Sequence, residues 1–257
     1  MTTTIVKPCD YDIEKLTFNP LLSNKKKSAQ TILLPSYNGA RSPMIQLPPI
    51  DLDMYGIPSK CDFYKEDWQR MFLKLPLNQK NPEVRDLTID FLMKLDNKIS
   101  SINFKDFGIG GKGKILWKYQ SIVRCALGED GTPNPNKHSY MKLKLTTEYP
   151  TNEIRTAVVE ETGDKERTLK TDTTTIDEFV KYFHLQTNLK CMIAPVKLWI
   201  HQSSPTEATY GLTFKLIKVL VKLPLTRALE NQDDCLADFL DSDSDWICVV
   251  INFKNYY

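Results

Sequence analysis

A mainly β fold of the α+β class, built as a small antiparallel sheet or barrel with one long packing helix, is what this sequence predicts. Three observations lead there. Residues 114–127, 140–147, 192–202 and 210–223 are rich in β-branched and aromatic residues and alternate apolar with polar ones, the period of half-buried strands. Residues 128–138 (GEDGTPNPNKH) and 201–211 (HQSSPTEATYG) concentrate glycine, proline, asparagine and serine, which is turn chemistry. Only one segment carries a sustained helical period.

That segment follows Asn81, a suitable cap, and Pro82, whose missing N–H costs nothing at the first helical position. Val84, Leu87, Phe91, Leu92, Leu95, Ile99 and Ile102 recur at spacings of three and four, so a core-packing helix is expected over 82–103. A weaker pattern at 176–186 (IDEFVKYFHLQ) predicts a short second helix. Seven of the 15 prolines fall in residues 1–60. Proline removes a backbone donor and disfavours helix before it, so this stretch reads as an extended arm with one or two short edge strands. The expected organisation is an N-terminal arm (1–60), a core (61–228) and a C-terminal tail (229–257).

The net charge of +2 conceals an asymmetry. Residues 1–228 hold 33 basic and 25 acidic side chains, whereas 229–245 (LENQDDCLADFLDSDSD) hold seven acids and no base. A basic body with an acidic tail suits a polyanionic partner for which the tail competes; a merely solubilising tail is the alternative. Six cysteines at 9, 61, 125, 191, 235 and 248 form no CxxC, so reduced thiols are expected and no metal or cofactor. No apolar run approaches the roughly 18–20 residues of a membrane span. No secretory start is visible either, so an intracellular location is expected.

Residues 108–116 (GIGGKGKIL) match most of the GxxxxGK[ST] phosphate-loop pattern. Ile115, however, occupies the position where serine or threonine holds Mg²⁺, and the residues after it read as strand where the motif requires a helix. A basic loop entering a strand is the better reading. An enzyme working through Lys114 stays as a minor alternative, and no other catalytic constellation stands out.

The strand faces are more informative. Tyr140, Lys142 and Lys144 share one side of their strand, and Lys197, Trp199 and His201 share one side of theirs. In 210–223, parity places Lys218 and Lys222 on the side of Tyr210 and Phe214, with Lys215 opposite. Rings and ammonium groups on an open sheet face suit unpaired bases and phosphates. Residues 191–222 (CMIAPVKLWIHQSSPTEATYGLTFKLIKVLVK) resemble the C-terminal core of poxvirus-type single-stranded DNA-binding proteins, through Pro195, Val196, Lys197 and Leu198 and then Phe214, Lys215, Leu216 and Lys218. YMKLKLT (140–146) resembles an earlier strand of those proteins. The pattern from the 81–103 helix through Trp117 to ADFLDSDSD also resembles an uncharacterised family of nucleocytoplasmic large DNA viruses. The resemblance spans roughly residues 80–245.

The resemblance implies an OB-like antiparallel barrel that coats viral single-stranded DNA during replication, without sequence preference, and self-associates on it. The stacking candidates are Trp117, Tyr119, Tyr140, Trp199 and Tyr210. The phosphate candidates are Lys112, Lys114, Lys142, Lys144, Lys197, Lys215 and Lys218. Asp238, Phe239, Asp241, Asp243 and Asp245 would form a regulatory tail that meets replication proteins, although here WICVVINFKNYY (246–257) comes after it. The implied location is the host cytoplasm or a viral replication site, or the virion, with no membrane partner. The alternative is a virion structural or scaffolding protein that uses the N-terminal arm for contacts and binds no nucleic acid.

Overall fold

A computed structural model describes residues 4–19, 22–23, 30–109, 115–128, 130–162 and 166–224. The first 51 residues supply seven short strands: β1 (Ile5–Val6), β2 (Leu16–Phe18), β3 (Leu22–Ser23), β4 (Gln30–Leu33), β5 (Pro35–Tyr37), β6 (Met44–Gln46) and β7 (Ile50–Asp51). Next come β8 (Phe72–Pro76), helix α1 (Pro82–Ser100), β9 (Leu116–Tyr119), β10 (Tyr140–Leu145), β11 (Ala157–Glu161) and β12 (Arg167–Lys170). A short helix α2 (Ile176–Val180) precedes two long strands, β13 (Asn188–Ser204) and β14 (Glu207–Lys222).

The long pair is the spine. β13 and β14 run antiparallel over their whole length, from Asn188 opposite Lys222 to Ser204 opposite Glu207. The turn is only Pro205–Thr206, so the polar stretch 201–211 belongs mostly to strands. The free edge of β14 takes three strands in succession, all parallel to it: β9 beside 207–210, β10 beside 214–216 and β11 beside 218–221. The free edge of β13 takes β4, β6 and β7, all antiparallel. β8 extends the sheet from β10, β12 from β11, β1 from β6 and β3 from β4. β2 and β5 pair separately.

The result is a mainly β molecule with a twelve-stranded mixed sheet, which corrects the expected antiparallel barrel in two respects. Among the described residues the pairings branch and nowhere close into a ring. Three of β14's neighbours are parallel because long connections, not hairpin turns, separate β9, β10 and β11 from it; only such crossovers permit parallel pairing. The N-terminal stretch is extended as expected, but it adds three strands directly to β13 and gives Tyr11, Leu16, Leu33, Ile45, Leu47, Ile50 and Leu52 to the core. With few backbone donors to spare, short proline-flanked strands are what this composition allows at a sheet edge.

Helix α1 covers the inner face. Asn81 caps it by accepting from the Glu83 and Val84 amides, a contact worth about 1 kcal/mol. Phe91, Leu92, Leu95 and Ile99 are buried, whereas Leu87 stays 64% exposed. Asp96 ties the helix to the chain around β9: its carboxylate accepts from the Tyr119 hydroxyl (2.5 Å) and from the Ile122 and Val123 amides (2.7 and 3.1 Å).

Of the three irregularities in the β13–β14 ladder, two set which of the central side chains face outward, and the third, at Ser203, adjoins the turn. Val196 is left unpaired beside Pro195, where a central strand tolerates a residue without an N–H. Ile217 is left unpaired on β14, since Met192 lies opposite Lys218 while Ile193 lies opposite Leu216. The buried series on β14 therefore switches from Tyr210, Leu212, Phe214 and Leu216 to Val219 and Val221. Simple parity, which put Lys215 and Lys218 on opposite sides, fails at this point. The extra residue turns both outward.

Gly211 lies opposite Trp199, and a Cβ there would sit 3.0 Å from the indole and 3.1 Å from the Gln120 carbonyl oxygen. Gly211→Val is expected to destabilise the fold by about 1–3 kcal/mol, lowering the urea midpoint and moving Trp199 emission to the red.

Candidate nucleic-acid interface

The outer face of β8, β10 and β14 gathers lysines. β10 alternates cleanly, with Met141, Leu143 and Leu145 fully buried and Lys142 and Lys144 exposed. Across the antiparallel β8 pairing, Lys142 stands opposite Lys74 and Lys144 opposite Phe72. Across the parallel β14 pairing, Lys144 stands opposite Lys215. The register thus makes two directly facing Lys–Lys pairs on adjoining strands, an arrangement that costs stability when nothing neutralises it. Among the described residues, Lys74, Lys142 and Lys215 form no ion pair with a carboxylate.

Aromatic rings lie between these cations. The Lys142 ammonium sits 3.6 Å from the centre of the Phe72 ring, and that of Lys74 is 5.6 Å from the Tyr140 ring. Tyr140 in turn packs on Tyr55 (4.9 Å) and Phe72 on Tyr64 (5.6 Å). The stretch that carries Tyr64 also leaves Phe63 and Trp68 largely exposed, at 87% and 64%. Partial burial, reinforced by Arg124, Lys74 and Lys144, pushes the Lys142 pKa down to about 8. An anion placed beside it would favour its charged form.

The other sequence candidates divide. Trp199 is half-buried on the same outer face, lying over Gly211, with Lys197 opposite Thr213 two positions before it. Lys218 is exposed beyond the Ile217 bulge. Tyr210, expected to stack on bases, is instead 4% exposed on the inner face, where its hydroxyl donates to the Ser100 carbonyl. Trp117 and Tyr119 face the same way. Trp117 stacks on Phe104 at 4.4 Å, and Tyr119 packs on Tyr210 while donating to Asp96. Burial and the Asp96 carboxylate push the Tyr119 pKa far up, as suits a structural phenol. These three rings are core. Lys112 and Lys114 lie outside the described residues, as do Asp238, Phe239, Asp241, Asp243 and Asp245. The element after the glycine loop is strand β9, not the helix a phosphate loop needs.

Sequence reasoning passed over Phe72, Lys74, Tyr55, Tyr64, Arg124, Phe63 and Trp68. A signal existed for the first two: FLKLP (72–76) repeats the LKL alternation of YMKLKL (140–145). Compared with known proteins, the chain matches no family model and no curated protein.

The lowered Lys142 pKa has a measurable consequence. Between about 8 and the ordinary 10.5, the unfolded chain keeps a proton that the folded one has lost, so stability rises with pH through that window. Lys142→Gln is expected to flatten the rise, read from urea midpoints at a series of alkaline pH values.

Proposed function

We propose that the protein binds single-stranded nucleic acid through the outer face of β8, β10 and β14, without sequence preference. The facing pairs Lys74–Lys142 and Lys144–Lys215 carry the reading, because a fold that sets like charges opposite one another gains when phosphates lie between them. Trp199, Trp68, Phe63 and the edge of Tyr140 are the rings to stack on bases, and stacking is blind to base identity. Lys197 and Lys218 extend the cationic track. Single-stranded DNA during viral replication, coated by several copies, is the substrate and setting that the resemblance implies. An open sheet face presents the same chemistry as an OB barrel, so the proposal does not depend on closure.

The structural-protein alternative leans on an N-terminal arm that is free to contact other subunits. Three strands of that segment, β4, β6 and β7, are paired with β13 of its own chain, which favours the nucleic-acid reading.

Anisotropy titration of a labelled oligo-dT, with a duplex control, tests the proposal. Binding should favour the single strand and weaken with salt, and each lysine in phosphate contact should contribute about −0.7 to the log–log slope. The double variant Lys142→Glu with Lys144→Glu should lose at least roughly tenfold in affinity and flatten the slope by about 1.4. Trp68→Ala should cost about 1–3 kcal/mol of binding with the slope unchanged. Equal affinity in wild type and the double lysine variant would overturn the assignment.

A further inference from the structure

We infer that the acidic C-terminal segment docks, within its own chain, in an apolar groove beside the first half of α1. The groove holds about 520 Å³ between the first half of α1, the N-terminal segment and Pro48–Pro49. Tyr11, Ile13, Leu47, Val84 and Leu87 line it, with Phe91 at its base against Tyr11 (5.8 Å). Leu87 belongs to the apolar stripe of α1 yet is 64% exposed, so the stripe extends beyond what the core covers. Lys7, Lys94 and Lys190 stand around the groove. Lys94 is held by Asp90 at 2.6 Å and Lys190 shares the field of Glu161, whereas among the described residues Lys7 has no carboxylate within ion-pair distance.

Three observations select the occupant. The chain leaves the fold next to the groove: Leu220 lies opposite Lys190, and Lys222 opposite Asn188. Thirty-three residues come after Pro224, and the twelve steps to Leu236 can span up to roughly 40 Å. The composition also matches. In CLADFLDSDSD (235–245), Leu236, Phe239 and Leu240 fall at i, i+3 and i+4, the spacing by which an amphipathic segment fills an apolar groove. Asp238, Asp241, Asp243 and Asp245 supply carboxylates for Lys7. The groove offers Leu236, Phe239 and Leu240 an apolar trough and the acids a cation at its rim, so it satisfies both halves of the segment. The docking is independent of whether the lysine face binds nucleic acid.

Native cysteines allow a direct test in the full-length protein. Cys9 is exposed and lines the groove, and Cys235 immediately precedes Leu236. Cys61 and Cys125 are also exposed, and Cys125 adjoins Arg124 at the lysine face. The dilute protein is treated with a short bismaleimide, and the cross-linked monomer is digested and mapped by mass spectrometry. Cys9–Cys235 should be the dominant link. Leu236→Ser with Phe239→Ser should reduce it by roughly tenfold, as loss of anchoring side chains does. Leu87→Asp, at an exposed position that leaves the fold intact by circular dichroism, should do the same. Links from Cys235 mainly to Cys125 or Cys61, Cys9–Cys248 in place of Cys9–Cys235, links confined to a dimer band, or single labelling of Cys9 and Cys235 would each overturn the inference. None of these readouts involves nucleic acid, so their failure is separate from failure of the binding proposal.

Discussion

The ladder between Asn188–Ser204 and Glu207–Lys222 fixes nearly everything else in the molecule. Along both long strands, the outer edge is taken up by short strands that could not stand alone. Two- and three-residue strands such as β7 and β6 gain order only by docking against a template that already exists. A slip of one residue in the central register would send every buried side chain of β14 to the surface. Besides an irregularity at Ser203 near the turn, two bulges break the ladder locally. One accommodates Pro195 and the other resets the facing of β14 beyond Ile217.

The second bulge joins fold to surface chemistry. It brings Lys218 to the same side as Lys215, and the parallel docking of β10 sets Lys144 beside them. The cations on this face are then crowded by backbone geometry, with Phe72 and Tyr140 beneath the ammonium groups as partial compensation. Such a surface is poor for stability and well suited to an anionic polymer, the exchange expected where function sets the side chains.

Much of this was legible in the sequence wherever one local rule decided the outcome. Asn81–Pro82 and the stripe from Phe91 to Ile99 located α1 to within three residues of its end, and alternation placed Lys142 and Lys144 on the open side of β10. Three things were not legible. Alternation separates two faces but does not say which one a helix will cover, so Trp117, Tyr119 and Tyr210 passed for surface rings. A bulge breaks parity without leaving a proline or glycine at Ile217 to announce it. The opposition of Lys74 to Lys142 is a contact between segments 68 positions apart, fixed by strand order, which no local pattern contains.

The central hairpin also closes the described chain, and this imposes an order of events on folding. Among the described residues β9 has no partner except β14, β10 and β11 wait for the same strand, and β4 must find Leu198 from Leu33, 165 positions earlier. Helix α1, capped and local, can form while the chain is still being synthesised; the sheet cannot. Pairings of such wide sequence separation assemble in milliseconds to seconds. Until residues 188–222 emerge, the edge of β10 that β14 will take is unpaired and open to neighbouring chains. Synthesis of β14 is therefore the step that covers the open edges of β9, β10 and β11.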